Sequence, residues 1–206
     1  MNVSYAITVC NERNEIEKLI SFLIQNKHFG DEIVVLFDTN NGTNEVEVFL
    51  DTISSHISLH KSSFNFHFAD WKNQLSSYCT KDYIFQIDAD ELPSQDLIDS
   101  LHTIIKQNVD VILVPRENTV NGLTEGHIKN WGWKVDKMNR VNWPDYQWRL
   151  YRNHSSIKWV NKVHERLEGF ETFSTIPIEE EYGMLFLHHA KDIKRQEKQN
   201  QLYSEL

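Results

Sequence analysis

The first 115 residues alternate short apolar runs with amphipathic stretches about four times, and this rhythm narrows the fold more than any other feature. Ser4 to Cys10, Glu32 to Phe37, Tyr83 to Ile87 and Val109 to Pro115 read as buried strands, with a weaker one at Ile57 to His60. Between them, Ile16, Leu19, Ile20 and Leu23 recur at helical spacing, as do Val46, Phe49, Leu50 and Ile53. Phe68, Leu75 and Cys79 share one face of a third helix, and Leu97, Ile98, Leu101, Ile104 and Ile105 form a fourth. Asn11 to Asn14 is a polar turn able to cap the first helix, and Pro93 is expected to open the fourth at its first turn. Strands alternating with helices imply an α/β fold with a mostly parallel sheet flanked by helices. Such sheets bind ligands outside the C-terminal ends of their strands. Three strands end in polar loops there: Thr8-Val-Cys-Asn-Glu12, Asp38-Thr39 and Asp88-Ala-Asp-Glu91.

After residue 115 the rhythm breaks. Residues 116–144 are polar and aperiodic, and so long a loop in a compact domain is usually functional. Tyr146 to Arg152, Lys158 to Val160 and Met184 to Leu187 read as short strands, and the charged tail from Lys191 as an exposed helix. The expectation is a single domain over 1–206, with a small mixed second half at 116–206. Apolar residues make up 40% and charged residues 25%, as in globular chains, and no apolar run approaches a membrane span. The N-terminus lacks the basic region and cleavage site of a signal peptide. Cys10 and Cys79 make neither a disulfide framework nor a zinc site, which fits a reducing, cytoplasmic location. The net charge of −9 argues against broad binding to a nucleic-acid backbone.

Two features carry chemistry. The strand from Tyr83 delivers Asp88, Asp90 and Glu91 within four residues. On an extended chain Asp88 and Asp90 point the same way, and two carboxylates side by side repel unless a cation joins them. Oxygen ligands select a magnesium- or manganese-type ion, usually completed by substrate phosphates. The plainer reading is a set of solvated acids ahead of a helix N-terminus. The second feature is aromatic: Trp131, Trp133, Trp143, Trp148 and Trp159 crowd into one stretch. Indoles pack on sugar faces or stack on bases, or simply fill the core beneath a long loop.

The chain is similar to family 2 glycosyltransferases of the GT-A type. The resemblance rests on Thr8-Val-Cys-Asn-Glu12, Asp38-Thr39, Phe68-Ala-Asp-Trp-Lys-Asn73, Asp88-Ala-Asp-Glu91, Arg149-Leu-Tyr-Arg152, Val163-His-Glu165 and His188-His189, which follow one another in family order over nearly the whole chain. Val9 and Cys10 stand where the family often has Pro and Tyr, and Asp38-Thr-Asn-Asn41 where it often has Asp-Asp-Gly-Ser. The resemblance implies a Rossmann-like GT-A domain that binds the donor through residues 1–115 and the acceptor through 116–206. It implies metal-dependent, inverting transfer from a nucleotide sugar, most readily UDP-glucose or a UDP-N-acetylhexosamine. The acceptor would be a hydroxyl on a glycan, lipopolysaccharide, protein or modified nucleic-acid base. Thr8, Cys10, Glu12 and Asp38 match nucleoside-binding positions, Asp70 and Lys72 lie near the nucleotide, and Arg149 and Arg152 reach for the diphosphate. Those two arginines, three apart, face opposite ways on a straight strand, so a turn or bulge must intervene if both do. Asp88 and Asp90 would hold Mn2+ or Mg2+, with His189 or its neighbour His188 completing the site. Glu165 and Glu91 are the candidates for the base that deprotonates the acceptor, Glu165 being preferred, with His164 beside it. Trp131, Trp133 and Trp143 would form an acceptor platform or lid. Two other classes compete. A sugar-phosphate nucleotidyltransferase would normally carry a Gly-rich phosphate loop near the N-terminus, where this chain has no glycine, and a non-catalytic binding module would tolerate loss of the three carboxylates, all present.

Overall fold

The computed structural model describes residues 1–205, with the side chains of all of these except 180, 199 and 202–205; Leu206 lies outside the described residues. The first part runs β1 (Val3–Val9), α1 (Arg13–Asn26), β2 (Glu32–Asp38), α2 (Asn44–Thr52), β3 (Ser58–Ser62), α3 (Phe68–Ser77), β4 (Tyr83–Asp88), β5 (Glu91–Pro93) and α4 (Gln95–Ile104). The second runs β6 (Val111–Asn121), α5 (Glu125–Trp131), β7 (Val141–Arg152), β8 (Lys158–Val160), β9 (Arg166–Glu168), β10 (Phe173–Thr175), β11 (Leu187–Asp192) and α6 (Ile193–Glu205). One sheet runs through both parts in the order β3-β2-β1-β4-β7-β6-β11-β5, with β10 beside β6. Its first four strands are parallel, as the alternating sequence requires. β7 then inserts antiparallel between β4 and β6.

Strand periodicity sorts the core into two layers. Tyr5, Ile7, Val9, Phe85 and Ile87 face Ile16, Leu19, Ile20, Phe49 and Leu101 of α1, α2 and α4. Ala6, Leu36, Ile84 and Tyr151 face Ala69, Trp71 and Leu75 of α3, and Trp159 and Leu167 of the β8–β9 ribbon. The carboxyl end of β4 therefore lies between a helix layer on one side and α3 with its ribbon on the other.

Several elements depart from the expected pattern. Pro93 ends β5 opposite Leu187 instead of opening α4, whose cap is Ser94 accepting from the Leu97 N–H at 3.3 Å. Glu12 is the N-cap of α1 but makes no side-chain capping bond; its carboxylate turns back to accept the Cys10 and Asn11 N–H groups at 2.9 and 3.0 Å. The stretch 116–144 is only partly a loop. β6 continues to Asn121 and β7 begins at Val141, with Arg116 opposite Asp145 and Asn118 opposite Val141. Polar side chains on both partners carry these strands into the cleft described below, so hydropathy gives no sign of them. The last strand is also displaced: it spans Leu187–Asp192, and α6 starts only after it.

Leu150 is fully buried in β7 between Phe85 of β4 and Ile112 of β6. Leu150→Ala should lower stability by about 2–5 kcal/mol. Chemical denaturation checks this; a loss within error would mean that the sheet collapses onto the vacated space.

Candidate active site

The carboxyl ends of β1, β2 and β4 open into a cleft of about 830 Å³. It brings together Thr8, Cys10, Glu12, Asp38, Lys72, Asp88, Asp90, Trp133, Arg149, His164, Glu165 and His189, drawn from both halves of the chain. Each of the three polar loops arrives for a backbone reason. Asp38 folds its own loop: Oδ1 accepts from the Asn40 and Phe64 N–H groups at 2.9 and 3.1 Å, and Oδ2 from the Asn41 side chain at 2.8 Å. Gly42 follows because a Cβ there would lie 2.2 Å from the Asp38 carbonyl oxygen. Burial, followed by Glu12 and Asp38, pushes the Cys10 thiol up to about 12, so this cysteine stays protonated and is no nucleophile.

The acidic turn after β4 is organised by arginines. Between Ile112 and Leu113 of β6 the partner on β7 jumps from Leu150 to Trp148, leaving Arg149 as the extra residue of a bulge. Bulges re-aim side chains. Here the bulge drives Arg149 under the turn, 2.5 Å from Asp88 and 2.6 Å from Glu91. Burial opposes the charge on Asp88, but Arg149 and then Lys72 outweigh it and hold the carboxyl well below the usual carboxylate range. Glu91 is wholly buried; Oε1 takes Arg149 and Arg116, and Oε2 the Asp88 N–H at 3.1 Å.

Asp90 turns the other way, toward β11 and α6. His189 Nε2 and Arg195 each lie 3.4 Å from it and Lys191 3.7 Å. Burial again opposes its charge, and the His189 contact, Lys191 and Arg195 together hold the carboxyl low. His189 Nδ1 meets Asn118 Oδ1 at 2.7 Å, and the Asn118 amide donates in turn to Asp145 at 2.7 Å. That relay places a hydrogen on Nδ1 and turns Nε2 toward Asp90. A ring nitrogen facing a carboxylate, with its other nitrogen held by a polar partner, is a donor set that fits a divalent cation. Among the described residues no group of three His, Cys, Asp or Glu side chains could hold an ion. A cation here would therefore draw on phosphate oxygens as well, as magnesium-type ions do.

Glu165 lines the same cleft. Its carboxylate lies 3.1 Å from Lys72, both side chains being nearly buried, and Lys72 sits 4.6 Å over the Trp159 ring. Asn73 sets this up by two bonds to the β8 backbone: it accepts the Trp159 N–H and donates to the Trp159 carbonyl, each at 2.9 Å. The Lys-Asn pair thus divides its work, one residue facing the cleft and the other fastening the ribbon that carries Glu165.

A family model described as glycosyl transferase family 2 matches residues 4–190. The chain belongs to glycosyl transferase family 2. Its fold is similar to crystal structures of S. aureus TarS 1-349. The UDP-GlcNAc complex has 14% identity and a TM-score of 0.63 and is matched over 93% of this chain and 59% of that one. The UDP complex has 13% identity and a TM-score of 0.62, matched over 92% and 60%. This family 2 chain thus spans about 60% of the length of TarS 1-349, and at such identity the likeness establishes the GT-A fold. No curated protein matches the chain. Among the described residues, no helix is long and apolar enough to cross a membrane.

Some positions matched to the family motifs lie away from the cleft in this family 2 chain. Asp70 is exposed beside His67, at 3.4 Å. His188 points out to Glu117 at 2.8 Å, leaving His189 as the histidine at the acidic turn. Trp131 stacks on His127 and leans on Trp133, and of these two tryptophans Trp133 lines the cleft. Trp143 packs edge-on against Phe186 with Arg140 over its ring. Trp148 and Trp159 line the cleft, as do Arg116, Asn118, Asp145 and Lys191. None of these was singled out from the sequence. The tryptophans were visible only as a cluster, and the polar residues gave no motif.

Arg152 opposes Tyr83 at the amino end of β4, the edge of the sheet remote from the acidic turn. It pairs with Asp110 at 3.3 Å and donates to the Asn108 carbonyl and the Tyr83 hydroxyl. Arg152→Ala should therefore leave nucleotide affinity unchanged and lower stability by about 1 kcal/mol. Titration calorimetry with UDP checks this, and a clear loss of affinity would return Arg152 to the site.

Proposed function

We propose that this chain transfers a sugar from a UDP-sugar, UDP-glucose or a UDP-N-acetylhexosamine, to a hydroxyl acceptor with inversion. The observation that carries the reading is one cleft that holds the Asp88–Asp90 turn, Arg149 and Glu165, the last held by Lys72. Family membership and the UDP and UDP-GlcNAc complexes of TarS support the choice of donor. Residues 1–115 supply most of the donor side, with Thr8, Glu12 and Asp38 near the nucleoside and Lys72 near the diphosphate, where Arg149 of β7 joins it from the second half. Residues 116–206 supply the acceptor side, with Trp133 and His164 and also Trp148 and Trp159. The acceptor is a hydroxyl on a glycan, lipopolysaccharide, protein or modified nucleic-acid base. The two free cysteines fit the cytoplasmic setting we assign.

Asp90 and His189 would hold Mn2+ or Mg2+, with Asp88 adjoining. Bound there, the ion supplies positive charge to the departing diphosphate. The chain's own part is to orient. Arg149 fixes the turn and Asn118 fixes the His189 ring. Glu165 takes the acceptor hydroxyl's proton as the new glycosidic bond forms and the sugar–phosphate bond breaks. Glu91 is a poor candidate for this step, because both its oxygens are occupied beneath the turn.

Release of UDP from a panel of UDP-sugars tests the reading as a whole. With manganese present, Asp90→Ala should bind UDP at least ~10-fold more weakly than wild type by calorimetry. An unchanged affinity would remove Asp90 from the ion site. Glu165→Gln should retain donor binding while transfer falls by roughly 10²-fold or more. Glu91→Gln should instead lower stability by about 1–3 kcal/mol, since it removes the carboxylate shared by Arg149 and Arg116 and leaves each with one other carboxylate, Asp88 and Asp145. Near-normal turnover in Glu165→Gln would exclude Glu165 as the base.

A further inference from the structure

The cleft has an end that the reaction above leaves unused. Beyond Asp38 it is walled by aromatic rings from one short segment: Phe64, Phe66, Phe68 and Trp71. Phe64 is the hub, its ring centroid 5.5 Å from Phe66, 4.9 Å from Phe68 and 5.6 Å from Trp71. Trp71 is buried and Phe64 half-buried, so this base is fixed. Phe66 is different. It is 48% exposed, and its backbone φ is +61°, a conformation that bulky side chains rarely adopt.

The strain is locked in from both sides. The Phe64 N–H donates to Asp38 at 3.1 Å, the His67 N–H to the Asn65 side chain at 3.2 Å, and the Phe68 N–H to the Lys162 carbonyl at 3.1 Å. A strained backbone and an apolar ring left in water both work against stability. Strain of this kind persists at sites where a ligand uses it. A flat, exposed ring on a rigid base suits a planar π ligand.

Its position in the sheet says which part of the donor that is. The edge order β4, β1, β2, β3 sets Asp88, then Cys10 and Glu12, then Asp38, then the aromatic segment after β3 in a row. Neighbouring strands are about 4.8 Å apart, so three steps cover roughly 14 Å. That is on the order of an extended nucleoside diphosphate. With the diphosphate at Asp88 and the ribose beside the first two loops, the base reaches Phe66. The first loop offers Cys10 there and no ring of its own.

We propose that Phe66, seated on Phe64, is the stacking platform for the nucleobase of the donor. This rests on the nucleotide-sugar reading. The test is binding of UDP and of inorganic pyrophosphate, each with manganese, to wild type, Phe66→Gly and Phe66→Leu. Glycine accepts the positive φ and removes the exposed ring, so Phe66→Gly should melt no lower than wild type while binding UDP about 10- to 100-fold more weakly. Phe66→Leu, which keeps apolar bulk without the π face, should also lose UDP affinity. Pyrophosphate, which has no base, should bind all three alike. Saturation transfer from protein to the uracil protons should be strong in wild type and weak in both variants. UDP affinity unchanged in both variants would overturn the platform and leave the donor reading intact. An equal loss of UDP and pyrophosphate would also overturn it, the loop then being the cause. Wild type that binds pyrophosphate but no better UDP would instead bring down the donor reading itself.

Discussion

The Arg149 guanidinium is buried between Asp88 at 2.5 Å and Glu91 at 2.6 Å, and the rest of the site is built outward from that contact. Glu91 passes the interaction to Arg116, and Arg116 to Asp145 at 2.7 Å. Asp145 then accepts from Asn118, Asn118 from His189, and His189 faces Asp90. The path leaves the acidic turn at Asp88 and returns to it at Asp90, passing through β7, β5, β6 and β11. Charges buried without partners are costly, so each member needs its neighbour in place. The short strand β5, paired with β11, holds Glu91 between Arg149 and Arg116.

The circuit also gives β7 its irregular form. A regular strand would send Arg149 and Trp148 to opposite faces. The bulge at Arg149 lets both line the same cleft, while Leu150 and Tyr151 on its far side resume the two core layers. The mixed second half is thus not an appendage to the parallel sheet. Its strands supply the arginines and the histidine that make the β4 turn a defined structure.

A chain of net charge −9 holds a cleft rich in cations. Arg149, Arg116, Lys191 and Arg195 are spent on carboxylates, and Lys72 on Glu165. Ligand phosphates and a cation would therefore enter by exchanging partners within an existing network. In such a network each removed charge is felt by several others, as coupled buried groups generally are.

What the sequence determined by itself was the part that local periodicity encodes. The four apolar strands and amphipathic helices before residue 115, the ligand edge at their carboxyl ends, and the Asp88–Asp90 turn are all legible because each depends on residues close in sequence. Family membership was legible too, since seven short motifs kept their order. The tertiary structure decided the partners. Nothing near Glu91 in sequence says that Arg149 and Arg116 will bury it, and nothing near Arg152 says that it will oppose Tyr83 at the far edge. The strand ends at 116–121 and 141–145 escaped notice because their burial comes from pairing polar residues with one another, which leaves no hydrophobic period. Trp148 and Trp159 reach the cleft, and Trp143 does not, through a bulge and a two-bond clasp by Asn73. Such choices rest on contacts between residues far apart in sequence, 99 positions for Asp90 and His189, and only the folded chain brings them together.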